Sequence, residues 1–224
     1  MGRRPLAKFR KTNNNITSKW IEALAPVILA EGFSEKSMDE IVRLAGVSKA
    51  TFYKYFNSRE KLVDAIIDYQ LDKVGESKSA LENKIKSLPE RYLEATKIAG
   101  TAVAAISNPF LKDLEHHYPH LSGKMELFRV EAVEWLRAFY AEAREAGFIR
   151  DLDLRILLIT DLAVFREISR IEVLKSMDLS LGEAFLNYIE FRTRAILSSC
   201  DDADHVIQTL RDGGIDYPVA HLFA

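Results

Sequence analysis

The chain has 224 residues, enough for one large or two small domains around a sizeable buried core. Apolar residues make up 48% of it, yet no run approaches the roughly 18 uninterrupted apolar positions of a membrane span, so a membrane partner is not expected. The net charge is only −2, but residues 1–61 hold twelve lysines and arginines against six acidic residues (+6), leaving nineteen against twenty-seven (−8) in the rest.

In chain order, MGRRPLAKFRKTNNN is basic and lacks the apolar stretch and small-residue cleavage site of a secretory signal. Residues 1–15 are expected to form a disordered arm. A helix is predicted over about 17–31, with Trp20, Leu24, Val27 and Ile28 on one face. Pro26 lies inside it, and because proline removes a backbone donor and crowds the preceding turn, a kink is expected there. Ser37 and Glu40 have capping-box spacing, and Met38, Ile41, Val42 and Ala45 follow at helical intervals. Gly46 offers the left-handed conformation that ends a helix. Ser48 then caps a second short helix in which Phe52 and Phe56, four apart, anchor a core together with Val47 and Ile41. Two short helices joined by a tight glycine turn form a compact device for placing one helix in a DNA groove. A basic end beside that motif, on an acidic body, fits a phosphate-bearing partner.

The segment AGVSKATFYKYFNSREKL, with Gly32-Phe33 and SMDEI at 37–41, resembles the DNA-binding domain of the tetracycline-repressor (TetR) family. The resemblance runs from about Ile16 to Ala65; beyond about Val74 it is architectural only. It implies an all-α fold: a helix-turn-helix domain over 16–61, a larger helical effector-binding and dimerisation domain over 62–212, and a tail over 213–224. Position by position it implies base contacts from Lys49, Ala50 and Tyr55, since lysine can donate to guanine and a small apolar side chain can meet a thymine methyl. It implies phosphate contacts from Ser37, Thr51, Tyr53, Lys54 and Arg59, with Ser48 at the capped helix start. Tyr53 can equally pack at a core edge, and Lys54 and Lys61 can be ordinary solvated charges. Where the family often carries threonine this chain has Lys36, which removes a hydroxyl contact with phosphate. Arg3, Arg4, Lys8, Arg10 and Lys11 could follow a neighbouring groove.

A fourth helix starts near Ser58 along Leu62, Ala65, Ile66 and Tyr69 and runs toward Lys86. Pro89 opens a helix to about Ile106, closed by Ser107-Asn108-Pro109. A short helix covers 110–117, a long one 122–146, and another runs from Asp151 or Asp153 to about Met177. Ser180 and Glu183 form a second capping box for a helix to about Cys200, and 201–212 can be a last short helix. Nothing reads as a sheet. Cys200 stands alone, which excludes an intramolecular disulfide and suits a reducing cytoplasm.

The late helices carry apolar stripes that include Leu158, Leu162, Phe185, Ile189 and Ile196. Such stripes suit an intrachain core as well as an interface; the resemblance, not the spacing, implies a homodimer on a palindromic operator. Tyr92, Phe110, Tyr118, Phe128, Trp135, Phe139 and Phe165 are large side chains at helical spacing, ordinarily core, in the region where the family surrounds a cavity. The implied partner is a small hydrophobic or aromatic effector. His116, His117 and His120 do not make a metal site, because Pro119 prevents one helix from carrying them on a shared face and no further ligands are nearby in sequence. No cofactor is implied, and no nucleophile–base pair or phosphate loop points to an enzyme. The resulting expectation is a ligand-responsive DNA-binding regulator acting as a repressor; the alternative is a DNA-binding protein of the same fold controlled by a protein partner.

Overall fold

The computed structural model describes residues 14–212, so the basic arm over 1–13 and the tail over 213–224 lie outside the described residues. Among the described residues the chain is helical, with one isolated antiparallel bridge between Ile149 and Leu197. The helices are α1 (Asn14–Glu31), α2 (Met38–Leu44), α3 (Lys49–Tyr55), α4 (Arg59–Glu82), α5 (Leu88–Ala104), α6 (Asn108–His117), α7 (Ser122–Glu145), α8 (Leu154–Glu167), α9 (Ile171–Met177), α10 (Leu181–Ile196) and α11 (Cys200–Asp212), with a 3-10 turn at Pro119–Leu121.

Local chemistry sets most of these boundaries. Ser37, Ser48, Ser58, Ser107 and Ser180 each accept a hydrogen bond from a backbone N–H three residues on, satisfying a donor that the first helical turn leaves open. Helix α1 runs unbroken through Pro26, whose ring is exposed; the Glu22 carbonyl that loses its donor sits on the same exposed face, where water can reach it.

Helices α4 and α10 each end about four residues earlier than the spacing suggests, and two further boundaries differ for an identifiable local reason. Ser107-Asn108-Pro109 opens α6 rather than closing α5, because proline is tolerated in the first turn of a helix, where its missing N–H costs nothing. The single helix expected to reach Met177 is divided into α8 and α9. The Ser169 hydroxyl donates to the Phe165 carbonyl at 2.6 Å, occupying the acceptor that the Ser169 N–H would use in an α-helix. That N–H turns to Arg166 O instead, the Arg170 N–H turns to Glu167 O, and Arg170 becomes extended.

Apolar side chains gather in two clusters. The first joins Trp20, Leu24, Ile28, Phe33, Ile41, Phe52 and Ile66 to Phe110, Leu114, Leu174 and Leu181, so it spans the helix-turn-helix and the lower part of the larger helical body. The second holds Tyr92, Phe139, Tyr140, Leu158, Phe185, Ile189 and Ile196. Helix α10 approaches α5 closely at Gly182, where a Cβ would lie 2.9 Å from Ala104 Cα. That approach places Tyr92 and Arg192, on facing helices, within hydrogen-bonding distance.

The stripe that the sequence offers as a dimer surface therefore points inward. Leu158, Phe185, Ile189 and Ile196 are buried inside the protomer and Leu162 packs against the same cluster, because α8 packs on α7 and α10 on α5. Their spacing is equally that of a core. The apolar side chains that α8 and α10 leave outside are Ile156, Ile159 and Phe191, at 62%, 63% and 68% exposure.

Candidate nucleic-acid interface and effector cavity

Helices α2 and α3 meet across Gly46, whose φ of +67° is the left-handed turn that joins them. Phe52 and Phe56 face the core, and Phe52 stacks on Trp20 of α1 at 6.2 Å. The opposite face of α3 carries Lys49, Ala50, Thr51, Tyr53 and Lys54, all exposed. Lys49 Nζ is 2.6 Å from Asp39 Oδ2 of α2, so this cation is already paired, and the base contact expected of it would require an exchange of partner. The Ser48 and Thr51 hydroxyls lie 2.8 Å apart. Ser37 is engaged in its capping box: its N–H and hydroxyl both donate to Glu40 Oε2, at 2.6 and 2.7 Å. Those hydrogen bonds hold the Glu40 carboxyl below its ordinary pKa, the side-chain bond from Ser37 contributing most.

Tyr53 and Tyr55 divide the roles open to them. Tyr53 is 39% exposed with its ring edge-on to Phe52, whereas Tyr55 is half-buried and sits edge-on to Trp20 at 5.4 Å. The ring of Tyr55 thus supports the core, which restricts the base contact expected of it to what remains exposed. Arg59 is also committed: its Nη2 donates to Lys36 O at 2.5 Å, tying the start of α4 to the loop before α2. Lys36 itself is paired with Glu31.

The loop after α1 locks this unit to α6. Gly32 turns with φ +78°, and the next two amides, of Phe33 and Ser34, donate to Asp113 Oδ2 at 2.6 and 2.8 Å. A Cβ on Gly32 would lie 2.6 Å from that same oxygen. Phe33 is inserted among Phe110 and Tyr118, with ring centroids at 5.8 and 5.6 Å. Burial pushes the Asp113 carboxyl up, but the hydrogen bonds from Ser34 and Phe33 outweigh it and hold the group below its ordinary pKa.

Between α4, α5, α7, α8 and α10 lies an apolar cavity of about 150 Å³. Tyr92, Phe128, Trp135 and Phe165 line it, together with Val74, Leu81, Ala99, Ile106, Met125 and Leu136. Its polar lining consists of Ser77, Thr96, Arg129, Ser169 and Arg192, the last 4% exposed. Arg192 Nη1 is 3.3 Å from Asp161 Oδ2, and Nη2 donates to Tyr92 Oη at 3.3 Å. Asp161, fully buried, also accepts from Tyr140 Oη at 3.1 Å and Tyr188 Oη at 2.7 Å. Burial raises both tyrosine pKa values, so each phenol stays protonated and donates.

Residues 21–66 match the family model described as bacterial regulatory proteins, tetR family. The HTH-type transcriptional regulator SrpR of Pseudomonas putida is 31% identical over 67 residues, 30% of this chain and 30% of that protein. Residues 21–66, which hold α2 and α3, are thus similar to tetR-family bacterial regulatory proteins. The match to SrpR spans less than a third of that relative's length. The fold of the chain is shared by the TetR-family regulator of Cytophaga hutchinsonii (TM-score 0.55, 16% identity, covering 92% of this chain and 96% of that one). It is shared likewise by the TetR-family regulator PfmR of Thermus thermophilus (TM-score 0.53, 19% identity, covering 82% and 98%).

The aromatic side chains singled out by spacing go to different places. Tyr92, Phe128, Trp135 and Phe165 reach the cavity wall. Phe110 and Tyr118 instead pack around Phe33 in the first cluster, and Phe139 is buried behind the cavity, stacked on Tyr92 at 6.1 Å. His116 and His117 lie at the end of α6, His120 contacts Glu60, and no grouping of three or more His, Cys, Asp or Glu among the described residues could hold a metal ion. No helix among the described residues is long and apolar enough to cross a membrane. Asp113, Asp161 and Arg192 are the structurally committed polar residues that spacing did not single out.

The Asp113 junction carries a pH signature. Because its pKa is lowered in the folded state, its contribution is fully present above the unfolded-state value, about 3.9, and is lost as pH falls through the folded value. Asp113→Asn is expected to lower unfolding stability by about 1 kcal/mol at pH 7, the charge being partly screened. Urea denaturation of parent and variant should show the gap closing below about pH 4; a gap independent of pH contradicts the assignment.

Proposed function

We propose that this chain is a ligand-responsive transcriptional repressor that binds a palindromic operator as a homodimer and is released by a small hydrophobic or aromatic effector. The observation that carries the reading is one connected arrangement. A helix-turn-helix with its α3 face exposed shares an apolar core with α6, and Ile106, at the head of α6, lines the cavity above. A molecule seated in the cavity acts on that residue, and the dimer geometry that spaces the two α3 helices for successive major grooves loses population. The operator contacts belong to Lys49, Ala50, Thr51, Tyr53 and Lys54, with Ser37 and Ser48 at helix starts; Tyr55 and Arg59 contribute what their packing leaves free. The dimer face is assigned to the outer sides of α8 and α10, around Ile156, Ile159 and Phe191.

The operator is obtained by selecting duplexes from a random pool. Binding to the selected palindrome should weaken steeply between 50 and 200 mM salt, a loss of about 10³-fold or more if six or more phosphates are contacted. Lys49→Ala should cost about 1–3 kcal/mol and relax sequence preference at one position of each half-site. Equal affinity for the palindrome and a scrambled duplex would falsify the proposal.

The interface assignment is tested separately. Ile159 and Phe191 are exposed in the protomer, so the Ile159→Glu, Phe191→Glu double variant should keep its helical signal and sediment as a monomer. A variant that still sediments as a dimer places the interface elsewhere.

A further inference from the structure

A buried guanidinium at the cavity wall defines what the cavity can accept, given that the cavity is the effector site. The guanidinium of Arg192 has five N–H groups and two acceptors among the described residues, Asp161 Oδ2 and Tyr92 Oη, and its buried Nε finds none. A buried donor on a charged group that has lost water and found no partner is strongly disfavoured, and an occupant supplying an acceptor removes that penalty.

The charge of Arg192 is already balanced. Asp161 is 0% exposed and lies against the guanidinium, and its remaining lone pairs take hydroxyl donors from Tyr140 and Tyr188. Arg192 and Asp161 sum to zero. A carboxylate brought into this place would leave one buried negative charge without a counter-ion, which the low-dielectric surroundings penalise heavily. The other charged residue on the cavity wall, Arg129, has Nε and Nη2 on Glu126 at 3.1 and 2.8 Å and Nη1 near Ser169 Oγ at 3.4 Å. Glu126 also holds the exposed Arg166, so the surplus positive charge of that group faces solvent, where ions screen it.

We propose that the cavity takes an uncharged, predominantly apolar molecule with one hydrogen-bond acceptor, a ketone or ester oxygen, received by an N–H of the Arg192 guanidinium that Asp161 and Tyr92 leave free. The rest of the wall offers Val74, Ala99, Ile106 and Met125 to the apolar body, and the rings of Tyr92 and Phe165 flank the guanidinium at 5.7 and 6.0 Å. A cavity of about 150 Å³ suits a molecule built on one aromatic ring, since an apolar cavity of about this volume holds benzene.

Three probes of nearly the same shape separate the contributions: acetophenone has the ring and a neutral acceptor, benzoate has the ring and a charge, and ethylbenzene has the ring alone. Calorimetric titration of the full chain is expected to rank acetophenone roughly ten-fold tighter than benzoate and about five-fold tighter than ethylbenzene. In Asp161→Asn, which leaves the Arg192 cation unbalanced, the ratio of benzoate to acetophenone affinity should shift toward benzoate by about ten-fold or more. Should that variant not fold, the ranking in the parent protein decides alone. Benzoate binding as tightly as acetophenone, or ethylbenzene matching it, overturns the neutral-acceptor assignment while leaving the cavity as an effector site. Failure of all three to bind at millimolar concentration overturns both.

Discussion

The insertion of one loop into the body of the protein holds the helix-turn-helix unit in place. After α1 the chain turns at Gly32, buries Phe33 between Phe110 and Tyr118, and gives two successive amides to the Asp113 carboxylate. The hydrophobic and polar parts of this junction support one another. Phe33 contributes the larger driving force through buried area, and Asp113 removes the penalty of burying two unsatisfied amides. Because α6 carries the receiving side of the junction, any displacement of α6 is imposed on the loop that leads into α2. The helix-turn-helix is therefore not a bead on a flexible string: its core continues into the helical body through Leu62, Ile66, Phe110 and Leu114.

The second constraint is the buried pair of Asp161 and Arg192. Two charges removed from water contribute little net stability even when well paired, but replacing one of them alone leaves the other stranded. Here the pair ties α8 to α10, and the phenols of Tyr140 and Tyr92 extend the network to α7 and α5. Arg192 and Tyr92 form part of the cavity wall, and Asp161 and Arg192 belong to α8 and α10, whose outer faces carry Ile159 and Phe191. Occupancy of the cavity, the packing of α8 on α10 and the geometry of the proposed dimer are thus linked through a few hydrogen bonds with strict geometric demands.

Much of this fold could be read from local sequence. Ser37 with Glu40, Ser180 with Glu183, and Gly46 each fix a boundary through hydrogen bonds or backbone sterics within a few residues, and the structure has its boundaries there. Boundaries decided by a side chain competing for the backbone were harder: Ser169 looks ordinary in sequence, yet its hydroxyl ends α8. Spacing identified apolar faces but not what covers them. Leu158, Ile189 and Ile196 obey the same period whether they meet their own chain or a second copy, and only the packing of α8 on α7 and α10 on α5 distinguishes these cases. Asp161 interrupts an apolar run whereas Arg192 sits among other charges, and that the two would pair, 31 residues apart, depended on the tertiary fold.

The central claim is that the cavity and the DNA-facing helix are energetically coupled through α6 and the Phe33 junction. Thermodynamic reciprocity supplies its most direct test, since whatever factor a ligand takes from operator affinity, the operator must take from ligand affinity. Acetophenone affinity should be measured calorimetrically on the free dimer and on the dimer saturated with its selected palindrome. The account predicts binding to the DNA complex weaker by about five-fold or more, matching the loss of operator affinity at saturating acetophenone; identical affinities for the free and DNA-bound protein would contradict it.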